Sequence, residues 1–181
     1  IHDAQLAFPH HQLLIGHGSG SFGHVPANQF RTRHGVRTRE EWDGFVEVWR
    51  QARDLNQIMM DAFAQAGIQA ITFPPSAIIQ SSGGKPTSIQ TEPIQSALRA
   101  GLTPVVGGDV IFDTVNGGTI VSAEDVFVAL APFIHPDRIL LCGKDEGVCE
   151  DFPDCTKIVS KITPATRLLL QESLNGSLSI D

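Results

Sequence analysis

The sequence predicts an α/β fold, a three-layer sandwich in which a mainly parallel central sheet is covered by helices on both faces. Three observations carry this. Short apolar or β-branched runs alternate along the chain with stretches of helical period. Glycine or proline clusters close the strand-like runs. At 181 residues the chain has the length of one domain, a size that buries about 70% of its unfolded surface. Residues 1–181 are therefore read as a single domain.

Leu13–Ile15 is the first strand, ended by a glycine-rich loop that runs to His24. Thr38-Arg39-Glu40-Glu41 has the S/T-x-x-E form of a capping box, in which the threonine and the glutamate satisfy each other's backbone N–H groups. It opens a long helix whose apolar residues, including Trp42, Phe45, Trp49, Leu55, Met59 and Phe63, recur at helical spacing until Gly67 stops it. Ile68–Phe73 is a strand stopped by Pro74-Pro75, and Ser82–Pro86 is a turn. Thr91–Ala100 is a short helix and Leu102–Val106 a strand closed by Gly107-Gly108-Asp109. Asn116-Gly117 joins Val110–Asp113 to Gly118–Val121 as a hairpin. Ser122 caps a helix through Ala131, with Glu124 and Asp125 in the first turn where the helix dipole favours them. Arg138–Cys142 reads as a further strand and Thr163–Ser173, with Pro164 at its first turn, as a final helix.

The bulk numbers exclude several functions. Net charge is −7, from 20 acidic and 13 basic residues, which argues against nucleic acid or an anionic membrane as partner. No apolar stretch approaches the roughly 18–20 residues that span a bilayer, and no signal-peptide pattern opens the chain. Cys142, Cys149 and Cys155 form neither an even framework nor C-x-x-C. They are read as reduced thiols of a cytoplasmic protein, with no metal site. Ile1 enters mid-pattern and Ile180-Asp181 follows a strand start, so the chain is expected to be the interior of a longer protein.

The stretch Gly18-Ser19-Gly20-Ser21-Phe22-Gly23-His24 carries the chemistry. Glycines let successive backbone N–H groups converge on an anion, as in a phosphate nest. No G-K-[S/T] follows, so it is not a P-loop. It matches G-x-G-x-x-G, but no long helix or acidic ribose partner follows on schedule, and G-x-S-x-G is not met. His24, just past the nest, is placed to donate to a phosphoryl oxygen; His17 is read as packing or capping the strand end. Arg31, Arg33, His34, Arg37 and Arg39 are read as a solvated basic loop. In a parallel sheet, ligands gather at the carboxyl ends of strands. The Gly18–His24 loop, Gly107–Asp109 and Gly143–Gly147 all follow strands and should line one shared edge.

The run His17–His24 resembles the H-G-G-G-S-F-G-H loop of isopentenyl phosphate kinases, in the amino acid kinase superfamily. Pro74-Pro75-Ser76-Ala77 is similar to that family's P-P-S-A, Pro104–Val110 to its P-V-x-x-G-D-V, and Gly118–Asp125 to a stretch ending in I-L-S-G-D. Pro136–Ile139, running into Gly147-Val148, resembles the segment ending in D-V-D-G-V-Y. The terminal histidine of the loop is the most specific element, shared with a fosfomycin kinase-like branch. The resemblance implies an amino acid kinase-like fold and ATP-dependent phosphorylation of isopentenyl phosphate to isopentenyl diphosphate, in isoprenoid precursor synthesis by the alternative mevalonate route. It implies ATP and Mg2+ as cofactors, a homodimer, and a cytoplasmic enzyme. By the same resemblance, Gly18, Gly23, His24 and Glu124 contact substrate, with His24 and Glu124 also catalytic and Asp125 the fallback carboxylate. Ser19 and Gly20 would meet the transferring phosphate, and Gly143, Lys144, Asp145 and Gly147 the nucleotide. The helix from Glu41 to Ala66 would wall an apolar tail pocket with Trp49, Leu55 and Met59.

The departures are specific. Ser19 replaces the family's third glycine, Glu124 replaces an aspartate, and Cys149 replaces an aromatic. The family's phosphate-binding lysines fall outside these 181 residues, so this stretch alone is expected to be nearly inactive. A kinase for another small phosphate or phosphonate, or a non-catalytic phosphate-binding domain of the same fold, are the competing readings.

Overall fold

Parallel pairing organises the first of the two units in the computed structural model, Ile1–Pro136 and Asp137–Asp181. The structure describes residues 1–8, 10–143, 147–151 and 154–170. The first unit runs α1 (His2–Ala7), β1 (Ile15–His17), α2 (Gly20–Phe30), α3 (Arg39–Gln65), β2 (Ala70–Thr72), α4 (Pro75–Ile78), β3 (Ile79–Ser82), β4 (Lys85–Ile89), α5 (Glu92–Arg99), β5 (Thr103–Gly107), β6 (Asp109–Asp113), β7 (Gly117–Val121) and α6 (Ala123–Ile134). Strands β1, β5 and β2 form a wholly parallel sheet in that order, with Ile15 opposite Val105 and His17 opposite Gly107. A second sheet, in the order β4-β3-β6-β7, pairs β3 with β6 in parallel and closes on each side with an antiparallel hairpin. Between β5 and β6 the chain passes from one sheet to the other through Gly108 alone.

The layers can be read from two neighbours on β5. Successive strand residues face opposite sides of a sheet. Val105 packs with Phe63 of α3 and with Ile68. Val106 packs with Ile94 and Leu98 of α5 and with Val126 and Leu130 of α6. Both valines are fully buried, each worth about 1.5–3 kcal/mol over an exposed side chain. Helices on both faces of a mainly parallel sheet are what the alternation of elements predicts.

Local signals are realised in several places. Thr38 accepts from the Glu41 N–H and Glu41 accepts from the Thr38 N–H at 2.8 Å, so the capping box of α3 is formed. Hydrogen bonds from the Thr38 and Arg37 N–H groups hold the Glu41 carboxyl below its ordinary range. The hairpin β6–β7 forms around Asn116-Gly117, and Gly83-Gly84 joins β3 to β4. Asp113 ties the two turns together. Buried at 4% exposure, it accepts from the Ser81 hydroxyl and from the N–H groups of Gly83, Gly84, Val115 and Asn116, all within 2.7–3.1 Å. Burial pushes this carboxyl up, but these donors outweigh it and hold it far below the usual range.

Several expectations change. The first strand is Ile15–His17 rather than Leu13–Ile15, because its partner β5 is buried as far as Gly107 and the ladder follows it. The glycine-rich stretch does not stay a loop: α2 starts at Gly20 and runs eleven residues. Its two glycines and Pro26 each weaken a helix. Packing supplies what propensity lacks. Ala27 joins the core formed by Val36, Phe45, Val48 and Val110, and Phe30 lies so close to Gly44 of α3 that a side chain there would overlap its ring. The helix from Ser122 continues past Ala131 to Ile134. Arg138–Cys142 forms no strand; Leu140 and Leu141 are more than 70% exposed, since apolar content makes a strand only where a ladder partner exists.

In the second unit, Cys149 and Cys155 form a disulfide, which corrects the reading of all three cysteines as reduced thiols; Cys142 is free and exposed. The pair was missed because a six-residue separation matches no standard framework. The disulfide closes a small hairpin in which the Glu150 N–H donates to the Lys157 carbonyl and the Val159 N–H to the Val148 carbonyl. Asp151 organises its turn, accepting from Thr156 and from the Lys157 N–H, and is held below its ordinary range chiefly by Thr156. The final helix, α7 (Pro164–Leu170), opens at the expected proline. Thr163 accepts from the Thr166 N–H, and the expected residues 171–173 lie outside the described range.

Candidate functional site

Strand β1 delivers Gly18 and Ser19 to the carboxyl edge of the parallel sheet, and α2 begins one residue later. The first N–H groups of a helix have no partner within it, and together with the helix dipole they make an anion site. Gly20 takes φ +50°, a left-handed conformation that glycine adopts at no steric cost. Gly23 is buried, and its N–H donates to the Ser19 carbonyl at 3.2 Å. A side chain at Gly23 would run into Cβ and Oγ of Ser19. The serine that departs from the glycine-only loop is thus seated over a bare Cα one turn ahead. His24 is half-buried in the first turns of α2.

Three chain segments meet beside this helix start. The Gly108 N–H donates to the His17 carbonyl at 3.1 Å. A Cβ at Gly108 would lie 3.6 Å from the Ser19 nitrogen and 3.5 Å from the Val121 carbonyl oxygen. The end of β7 therefore reaches the same place, three residues before Glu124. Gly18–Gly23 and Gly107–Asp109 share one edge, as the strand-end argument predicts. Glu124 is exposed in the first turn of α6. Asp125 is taken: it closes a capping box with Ser122, accepting from its N–H and hydroxyl while the Asp125 N–H donates back.

Ser76 and Asp109 belong to the Pro74–Ala77 and Pro104–Val110 motifs, whose resemblance assigns them no role. They meet here: the Ser76 hydroxyl donates to the Asp109 carboxylate at 2.8 Å, with the Ser76 N–H at 3.4 Å. The Val110 N–H takes the other oxygen at 2.8 Å. Burial raises the Asp109 carboxyl above its ordinary value, against the lowering effect of Ser76 and Val110. That both motifs end strands was legible; that they touch across 33 residues was not.

Of the expected nucleotide-binding residues, Gly143 and Gly147 are exposed, and Lys144 and Asp145 lie outside the described residues. The second unit holds this whole segment. Of the tail-pocket candidates, Met59 packs against Phe63, Ile68 and Val105. Trp49 packs against Ala27, Phe45 and their neighbours, with the Arg53 guanidinium 5.4 Å from its ring centre. Leu55 is half-buried. Among the described residues, no group of three or more His, Cys, Asp and Glu is placed to hold a metal ion, and no helix is long and apolar enough to cross a membrane.

Comparison with known proteins identifies the family. Residues 3–176 match the Amino acid kinase family. Curated relatives include the isopentenyl phosphate kinases of Methanocaldococcus jannaschii, 30% identical over 94% of this chain and 64% of that protein, and of Methanothermobacter thermautotrophicus, 30% identical over 93% and 66%. The chain thus spans just under two thirds of their length. Among solved structures, one described as X-ray structures of isopentenyl phosphate kinase superposes with a TM-score of 0.74 at 30% identity, over 79% of this chain and 60% of the other. An isopentenyl phosphate kinase substrate complex gives 0.64 at 27%, over 73% and 54%.

Proposed function

The chain belongs to the amino acid kinase family, and from that premise we propose that the protein phosphorylates isopentenyl phosphate to isopentenyl diphosphate at the expense of ATP. The observation that carries this reading is the start of α2: a helix N-terminus with a glycine-rich first turn at a parallel-sheet edge, followed within two turns by His24. The curated relatives named isopentenyl phosphate kinase support the choice of acceptor.

Phosphoryl transfer asks a protein mainly to position its reactants and to neutralise charge. Ser19 and Gly20 offer backbone donors to the transferring phosphate. Gly18 and Gly23 let the backbone approach the substrate closely. His24 donates to the acceptor phosphate, orienting its attacking oxygen. Glu124 borders the substrate from the start of α6, and Asp125 keeps that helix end in place. Gly143, Lys144, Asp145 and Gly147 contact the nucleotide. ATP when bound supplies the phosphoryl group. With no cation cage among the described residues, Mg2+ belongs in this reading to the nucleotide phosphates. Residues 1–181 act as one domain of a cytoplasmic homodimer, in isoprenoid precursor synthesis by the alternative mevalonate route.

The test is conversion of isopentenyl phosphate with ATP by the full-length protein, beside His24→Ala. Loss of one such donor is expected to lower turnover about 10²–10³-fold. A wild type that turns over only a phosphonate favours the fosfomycin kinase-like reading. Phosphate binding without turnover favours a non-catalytic domain, and an unaffected His24→Ala refutes the assigned mechanism.

A further inference from the structure

The first histidine of the loop, His17, has an unusual pair of contacts. His17 ends β1, and its ring stands against Gly107 of the neighbouring strand; a Cβ there would lie 2.9 Å from the ring's Cε1. Its Nδ1 is 3.1 Å from the Gly18 carbonyl oxygen. A carbonyl only accepts, so this contact is a hydrogen bond when Nδ1 carries a proton. Its Nε2 is 3.2 Å from the Asn56 side-chain oxygen on α3, which also accepts from the Thr72 hydroxyl of β2 at 3.1 Å, so both ring nitrogens face acceptors. The ring is therefore anchored from behind by α3 and β2 while its front nitrogen grips a peptide of the loop.

That peptide unit joins Gly18 to Ser19. In a planar trans peptide the C=O and N–H point in opposite directions, so holding the Gly18 oxygen fixes where the Ser19 N–H points. The rung before it is made, Gly108 N–H to His17 carbonyl. Among the described residues no acceptor takes the Ser19 N–H. This N–H sits at the start of α2, where the helix dipole favours an anion.

We propose that His17 is a positioning residue for phosphoryl transfer, its Nδ1–H locking the Gly18–Ser19 peptide so that the Ser19 N–H is aimed at the phosphate held at the start of α2. This rests on the phosphate-binding role proposed above. It assigns His17 a task that packing alone would not require, since a packing residue needs only the ring's shape.

Two substitutions separate the front of the ring from its back. His17→Asn places an amide N–H where Nδ1 was and drops the contact with Asn56. His17→Gln reaches Asn56 and drops the bond to Gly18. The full-length protein is assayed for kcat and KM with isopentenyl phosphate and ATP, and for affinity toward inorganic phosphate by calorimetry. The expected result is that His17→Asn stays within about threefold of wild type, while His17→Gln loses about tenfold or more in kcat and in phosphate affinity. Equal effects of the two, or the reverse order, overturn the proposal. If wild type binds phosphate but does not turn over, the kinase reading fails and the phosphate affinities still decide the role of His17. If wild type binds no phosphate, both fail. Should either variant not fold, the wild type suffices: nitrogen-15 NMR is expected to show a proton on Nδ1 of His17, and a proton only on Nε2 overturns the proposal.

Discussion

Asp113→Asn tests the junction of the two hairpins. The wild-type carboxylate satisfies five donors from two turns and one strand. An asparagine oxygen can keep the Gly83, Val115 and Asn116 N–H groups, now without charge. Hydrogen bonds to a charged group contribute about 1.5–3 kcal/mol and neutral ones about 0.5–1.5. Its NH2 then faces the Ser81 hydroxyl, which can rotate to accept, and the Gly84 N–H, which cannot. One unsatisfied buried donor adds about 1–3 kcal/mol. Allowing for non-additivity within one network, the expected loss is about 3–5 kcal/mol in urea unfolding, with the slope unchanged. The sign of the pH dependence follows from the lowered carboxyl. A group with a depressed folded pKa contributes stability above its unfolded value, near 3.9, and loses it as pH falls toward the folded one. The gap between wild type and Asp113→Asn is therefore expected to be constant from pH 5 to 8 and to narrow below about pH 4. A loss under about 1 kcal/mol, or a gap that persists unchanged to pH 2.5, refutes the reasoning.

Gly23→Ala is expected to destabilise by about 1–3 kcal/mol through overpacking against Ser19. Ser19→Gly in the same chain should recover most of that loss, and a double-mutant cycle with no coupling would show that the two do not compete for space. Ser76→Ala removes the hydroxyl donor from the half-buried Asp109 carboxylate and leaves the backbone N–H of residue 76 in place; about 1.5–3 kcal/mol should be lost at pH 7, read from thermal or urea unfolding. Since Ser76 lowers the raised Asp109 carboxyl, its removal should raise that carboxyl further, as a carbon-13 NMR titration would register. Thiol titration of the unreduced protein should find one reactive cysteine, Cys142, and three after reduction. Cys149→Ser with Cys155→Ser should cost the hairpin about 2 kcal/mol by loop-closure entropy, seen as faster amide exchange at Val159.

Much of this protein was determined locally. Thr38 with Glu41, Ser122 as a cap, Asn116-Gly117 and the glycine strand ends are each decided by bonds within a few residues, so the sequence alone marks where helices and turns begin. The edge shared by Gly18–Gly23 and Gly107–Asp109 was legible too, because parallel strands put their following loops on one side. Tertiary structure decided the rest. The helix Gly20–Phe30 exists against the propensity of its glycines and Pro26 because Gly44 lets α3 pack on it. Arg138–Cys142 has strand composition but no ladder partner. Ser76 meets Asp109, and Asp113 joins Ser81 to the next turn, only because β6 comes to lie beside α4 and β3. Contacts between residues some thirty positions apart leave no periodicity to read, and they settle which carboxylates are held and by which donors.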